Sequence, residues 1–269
     1  EMNCVRKHLS AVKGGRLAEA ISPAQCVTLA ISDIPGDDLS VIASGPTEPD
    51  ETTFNDAQAI LTKYRINEPK SIMNFLGADK PETPKPDNPV FKNMRSHLIA
   101  TPQHSLEAAA RFARIRGFTP LILGDAIEGE AREVARVLAG ITKQVVRHNQ
   151  PAQKPCVLLS GGETTVTVNG SGRGGRNAEF LLSLALELNG LDGVWAFAGD
   201  TDGIDGTEDN AGALITPDSL KRAGEIGLDA KLMLADNDGY SFFKQLNDLV
   251  ITGPTLTNVN DFRAIVIDN

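Results

Sequence analysis

Apolar residues recur along the 269-residue chain in blocks whose period switches between that of a helix and that of a strand. Over 4–20, Val5, Leu9 and Val12 fall on one helical stripe, interrupted by Gly14-Gly15. Residues 26–31 (CVTLAI) predict a buried strand, closed by the turn Asp33-Ile34-Pro35-Gly36-Asp37. Helical patterns follow over 54–65 and 70–76. The stretch 77–89 (GADKPETPKPDNP) holds four of the chain's 15 prolines and predicts an exposed loop. The rhythm then becomes regular: strand 97–100, helix 104–116, strand 120–123, helix 128–147. Such alternation predicts right-handed βαβ units and a parallel sheet.

The segment 149–155 (NQPAQKP) is polar, carries two prolines and makes the best domain boundary. It divides the chain into a first part, 1–150, and a second, 155–269. Beyond it, 156–160 (CVLLS) and the alternating 164–168 (TTVTV) read as strands, and 177–189 as a strong helix. Strand 194–198 ends in the acidic loop 199–212. Two short helices, strand 248–252 and a last strand 263–267 complete the pattern. Both parts are α/β, and a mixed sheet is expected in the second.

Hydrophobic residues make up 41% and charged residues 23%, enough apolar content for two ordinary cores or one large one. The net charge of −9 repels nucleic acid and anionic membranes, and 5% aromatics argues against a base-stacking platform. No apolar run is long enough to cross a bilayer. Cys4, Cys26 and Cys156 are odd in number and widely spaced, which points away from a disulfide scaffold or a zinc site and towards the reducing cytoplasm. The chain opens Glu1-Met2-Asn3-Cys4 inside a helix-like pattern, so a fragment of a longer polypeptide is expected.

In α/β sheets ligands collect at the carboxyl ends of strands, where the unusual loops of this chain fall. Gly170, Gly172 and Gly175 formally match GxGxxG, but the preceding segment alternates where a central dinucleotide-binding strand is apolar on both faces. Arg173 and Arg176 stand beside a helix N-terminus, a setting for phosphate or carboxylate through free amides, helix dipole and guanidinium. The loop 198–209 (AGDTDGIDGTED) is too irregular for a calcium loop, since Ile204 occupies a ligand position. Its Asp200 or Asp202 suits Mg²⁺, which needs few protein ligands, or a proton acceptor. Asp33 ends the first strand, with Ser44 and Gly45 in ASGPT (43–47) beyond it. Thr255 and Asn258 offer a hydroxyl and an amide in 252–258 (TGPTLTN). Arg6, Lys7, His8, Lys13 and Arg16 form a basic cluster near the start, with Arg6 and Lys13 on one helix face. No GxSxG nucleophile elbow occurs.

Taken together, VRKHLSAVKGGRLA (5–18), SDIPGDDLSVIASGPT (32–47), LLSGGETTVTVNGSGRGGRNAEF (158–180), AGDTDGIDGT (198–207) and ITGPTLTNVNDF (251–262) resemble the glycerate 2-kinases of the MOFRL type, a group also labelled hydroxypyruvate reductase. The resemblance implies a Rossmann-like domain, of which 1–150 is the latter part, followed by a MOFRL domain over 155–269. An N-terminal segment carrying an active-site lysine has no counterpart in the sequence. It further implies ATP- and Mg²⁺-dependent phosphorylation of D-glycerate at its 2-hydroxyl in a cleft between two α/β domains. A homodimer is a family-level expectation. On this footing Arg176, with Arg173, is expected to bind substrate carboxylate or transferring phosphate. Asp33, Asp200 and Asp202 are candidates for base or metal ligand, with Asp202 the closer equivalent of the family motif. Lys7, Lys13, Ser44, Gly45, Glu163, Gly172, Gly174, Gly175, Thr255 and Asn258 are expected around substrate or phosphates. An NAD(P)H-dependent hydroxypyruvate reductase and a silent ligand-binding fragment are the competing readings.

Overall fold

The computed structural model describes residues 1–268, which form two compact units, 1–99 and 100–268. The division lies between Ile99 and Ala100, not in the proline-containing segment 149–155. The reason is a sheet that runs across that segment, described below.

In the first unit, α1 (Met2–Leu9) packs with α3 (Phe54–Lys63) and α4 (Lys70–Leu76) around Cys4, Phe54, Ala57, Leu61 and Leu76. The helical stripe expected over 4–20 is two helices, because Gly14 and Gly15 adopt φ of 59° and 79° and start α2 (Arg16–Ile21) afresh. Arg6 and Lys13 therefore do not share a helix face. Among the described residues, β1 (Cys26–Ile31) pairs only with β2 (Met94–Ala100). The buried strand expected at 26–31 is instead half-exposed, with Val27 at 60% and Leu29 at 64%, because nothing among the described residues covers its outer face. The 77–89 loop is irregular as expected, yet Thr83 is buried, since its hydroxyl donates to the buried Asp50.

The second unit opens with α5 (Pro102–Ile115), whose N-cap Thr101 accepts from the His104 amide. β3 (Thr119–Gly124), the two-residue β4 (Gly129–Glu130) and α6 (Ala131–His148) follow, then β5 (Cys156–Gly162). β3 and β5 pair in parallel through the α6 crossover, a βαβ unit that runs across the boundary expected at 149–155. The unit expected over 97–123 does not form, since β2 pairs with β1 and not with β3. Of the alternating 164–168, only β6 (Thr164–Thr165) is a strand; Thr167 instead bonds the Glu130 carboxylate. Next come α7 (Arg176–Leu188), β7 (Val194–Asp200), β8 (Gly212–Ile215), α8 (Ser219–Glu225), α9 (Ala230–Ala235) and α10 (Gly239–Leu246). β9 (Leu249–Val250) and β10 (Asp261–Ile267) end the unit.

The six-stranded sheet has the order β3-β5-β10-β7-β8-β9, with every pairing after β3–β5 antiparallel, so it is mixed as expected. One face packs on α6 and α7 through Leu158, Ala196 and Ile265; the other packs on α5 through Val157, Leu159 and Ala264. On β10 the period of two puts Asp261 and Arg263 on the same face as Ile265 and Ile267, towards α7. All three cysteines are free. No helix among the described residues is long and apolar enough to cross a membrane.

Candidate active site

The Gly/Arg loop before α7 is pinned down along most of its length. Asn237 Oδ1 accepts from the amides of Asn169 and Gly170, Asp236 from Ser171 and Gly172, and Asp238 from Arg173. A Cβ at Gly170 or Gly172 would stand 2.2 or 2.5 Å from the Asp236 carbonyl oxygen. These glycines serve a close backbone approach, and the segment before them is not a strand, so the formal dinucleotide match lacks its structural context. At the helix start, Asp205 occupies the dipole end: its two oxygens accept from the amides of Asn177 and Ala178, each at 2.9 Å. The open cradle expected over 170–176 shrinks accordingly. Within 170–176, the amides of Gly174, Gly175 and Arg176 are the ones left without a hydrogen bond.

The two arginines part company. Arg173 is exposed, forms a two-pronged pair with Glu208 and lies 4.5 Å from the Tyr240 ring centre. Arg176 turns inward: Nε donates to Asp261 Oδ1 at 2.9 Å, Nη2 to Asp200 Oδ2, and Nη1 lies 3.4 Å from Glu163 Oε1. Asp261 and Asp200 are cross-strand partners on β10 and β7, so strand register alone brings them together. A second guanidinium, that of the fully buried Arg263, holds Asp261 Oδ2 at 2.6 Å and Thr164 Oγ1 at 3.1 Å, with the Phe180 ring 5.3 Å away.

Burial decides the protonation balance. It pushes the Asp200 carboxyl up to about 6, against the Asp202 amide and the Arg176 charge and with help from Asp261 and Asp202. It likewise pushes Asp205 up to about 6, despite its amide partners. Burial works against the Arg176 charge too, but Asp261, Asp200 and Glu163 outweigh it and hold the guanidinium more firmly protonated than usual. For Arg263 desolvation wins, and its affinity for the proton falls.

Glu163, Gly172, Gly174, Gly175 and Arg176 line one cavity of about 420 Å³ with Glu179 and Asn237. Thus five of the residues singled out in the sequence meet around one space. Asp202 is half-buried; its Oδ1 accepts from the Ile204 amide, and its own amide donates to Asp200 Oδ1. Thr255 and Asn258 brace the loops: the Thr255 hydroxyl donates to the Thr201 carbonyl at 2.6 Å, and Asn258 accepts from Asn260. The hydroxyl expected to cradle a phosphate is spent on backbone.

The remaining predicted residues belong to the first unit. Lys7 is buried on Asp50 at 3.2 Å, and Lys13 donates to the Ala43 carbonyl. Asp33 is exposed past the end of β1. Ser44 is buried, its hydroxyl donating to Asn3. Ala43, Ser44 and Gly45 take φ of 51°, 63° and 55° in succession, and a Cβ at Gly45 would meet the Ser40 carbonyl oxygen at 2.7 Å. Two non-glycine residues in that region store strain of the kind found at functional loops. Sequence reasoning did not single out Asp205, Asn177, Asp261, Arg263 or 236–238. An Asp and an Arg two apart in an otherwise apolar strand is the one legible signal among them.

The MOFRL family model matches residues 156–261, and a domain of unknown function (DUF4147) matches 1–77. Two proteins of Agrobacterium vitis, each named "Putative hydroxypyruvate reductase", are 57% and 53% identical over 99% of this chain and 60% and 69% of their own length. The D-glycerate 2-kinase of Thermotoga maritima is 44% identical over 97% of this chain and 61% of its own. A crystal structure of a glycerate kinase from the same organism superposes with a TM-score of 0.90 at 43% identity, covering 99% of this chain and 63% of that one. This chain belongs to the MOFRL-type glycerate kinase family. It spans about three fifths of the length of most of these relatives.

Proposed function

We propose that this chain carries the phosphoryl-transfer site of an ATP-dependent glycerate 2-kinase, acting on the 2-hydroxyl of D-glycerate. The observation that carries the reading is Arg176: two of its nitrogens are anchored on buried carboxylates, Nη1 faces only the half-exposed Glu163 at 3.4 Å, and the residue lines one cavity with Gly174 and Gly175, whose amides are free. A fixed cation next to unpaired amides suits a substrate carboxylate or a transferring phosphoryl group. The kinase names of the relatives at 40–44% identity support the same reading.

Among the described residues no group of three or more His, Cys, Asp or Glu side chains could hold a metal ion, so the fit to Mg²⁺ rests on a single carboxylate: Asp202 keeps one oxygen outside the Ile204 bond, whereas both oxygens of Asp200 are engaged. Asp202 would hold the ion, with phosphates and water completing it, and the ion would offset charge on the phosphates. Lys7 reaches substrate only if it leaves Asp50, so we assign it to support of the first unit. Three unpaired cysteines fit a reducing cytoplasmic setting.

The test is ADP release that requires both D-glycerate and Mg²⁺. Hydroxypyruvate-dependent NADH oxidation without ATP would overturn the reading.

A further inference from the structure

Asp261 is saturated by donors from three directions. Arg176 Nε reaches Oδ1 at 2.9 Å, Asn177 Nδ2 reaches the same oxygen at 2.8 Å, and Arg263 Nη2 reaches Oδ2 at 2.6 Å. Its side chain is fully buried, as is that of Arg263. Arg263 is fixed in turn by Thr164 on β6 and the Phe180 ring on α7.

A buried arginine is costly, and a buried ion pair contributes little to stability compared with an apolar pair of similar size. The arrangement does something an apolar pair cannot. Each carboxylate oxygen of Asp261 takes a different guanidinium, so Arg263 fixes the carboxylate plane and the carboxylate fixes the Nε edge of Arg176. With Asp200 holding Nη2, the Arg176 plane has one orientation, and Nη1, which neither aspartate holds, faces the half-exposed Glu163 at 3.4 Å, a residue that lines the same cavity. A site held by locked side chains loses less freedom when its ligand arrives.

We propose that Asp261 is a positioning residue that sets the Arg176 guanidinium for an anionic ligand, with Arg263 as the pin that holds Asp261. The proposal rests on Arg176 as the anion-binding group of the site described above.

The test is a double-mutant cycle on the whole chain, with inorganic pyrophosphate titrated calorimetrically and melting followed in parallel. Asp261→Asn is expected to weaken pyrophosphate binding about tenfold in the native background and less than about twofold in Arg176→Ala, because the two residues act as one. Arg263→Lys, which keeps the buried charge but not the fork, is expected to weaken binding about threefold, again only where Arg176 is present. It also serves if Asp261→Asn does not fold. Equal losses in both backgrounds, or a lowered Tm with native affinity, would reduce Asp261 to a structural ion pair and overturn the proposal. So would a native chain that does not bind pyrophosphate. Failure of the kinase reading would show separately, as absence of ADP formation with D-glycerate while the binding cycle holds.

Discussion

Asp205 presents both carboxylate oxygens to the first turn of α7, one to the Asn177 amide and one to the Ala178 amide, each at 2.9 Å. The helix end that the sequence offers as an anion site is thus filled by the chain's own carboxylate. In the site proposed above, ligand recognition therefore falls to Arg176 and the amides just before it.

That carboxylate has a consequence for stability. Asp205 and Asp200 are both pushed up to about 6 in the folded chain, above the usual aspartate range. The folded state therefore holds these protons more tightly than the unfolded one, and stability rises as pH falls through 6 towards 4. Each group is worth on the order of 3 kcal/mol at full effect. Asp50 acts oppositely: burial is outweighed by Thr52, Lys7 and Thr83, its carboxyl is lowered, and its contribution is lost in stronger acid. Melting scans should give a higher Tm at pH 5 than at pH 7.5. A lower one would contradict the burial argument.

Replacing Arg176 with alanine should lower kcat/KM by about 10²- to 10³-fold, the usual cost of losing one fixed charge-stabilising donor. The Tm should fall as well, since Asp200 and Asp261 lose a buried partner. Near-native turnover would remove Arg176 from the site.

Glu163 is half-exposed and stands 3.4 Å from Arg176 Nη1, where an anion would approach. Its charge competes with the ligand. Glu163→Gln should tighten pyrophosphate binding, measured without metal, by about threefold, the scale of one partly exposed ion pair. Weaker binding would mean that Glu163 helps to hold the ligand.

Asp202→Asn should raise the Mg²⁺ concentration needed for half-maximal turnover while leaving the Tm within a degree or two of native. An unchanged Mg²⁺ titration would take Asp202 off the metal.

The long helices were legible because their signal is local. The patterns at 104–116, 128–147 and 177–189 match Pro102–Ile115, Ala131–His148 and Arg176–Leu188 to within three residues at each end. Pairing was less so: Val27 and Leu29 look like core, and only the lack of a covering layer leaves them exposed. In the candidate site, the Gly/Arg loop and acidic loop could be found from composition and place. Which carboxylate meets which arginine could not. Asp261 reaches Arg176 across 85 positions through the antiparallel β10–β7 and β10–β5 register, and 236–238 reach the glycine loop across about 65. No periodicity encodes such contacts.

The most direct measurement of the central claim is phosphorus NMR of the product formed from ATP, Mg²⁺ and D-glycerate. Transfer to the 2-hydroxyl predicts a phosphoester signal split by a single methine proton, with one ADP released per ester. A signal split by two methylene protons would place the phosphate on the 3-hydroxyl. No ester at all, together with hydroxypyruvate-dependent NADH oxidation, would contradict the kinase account.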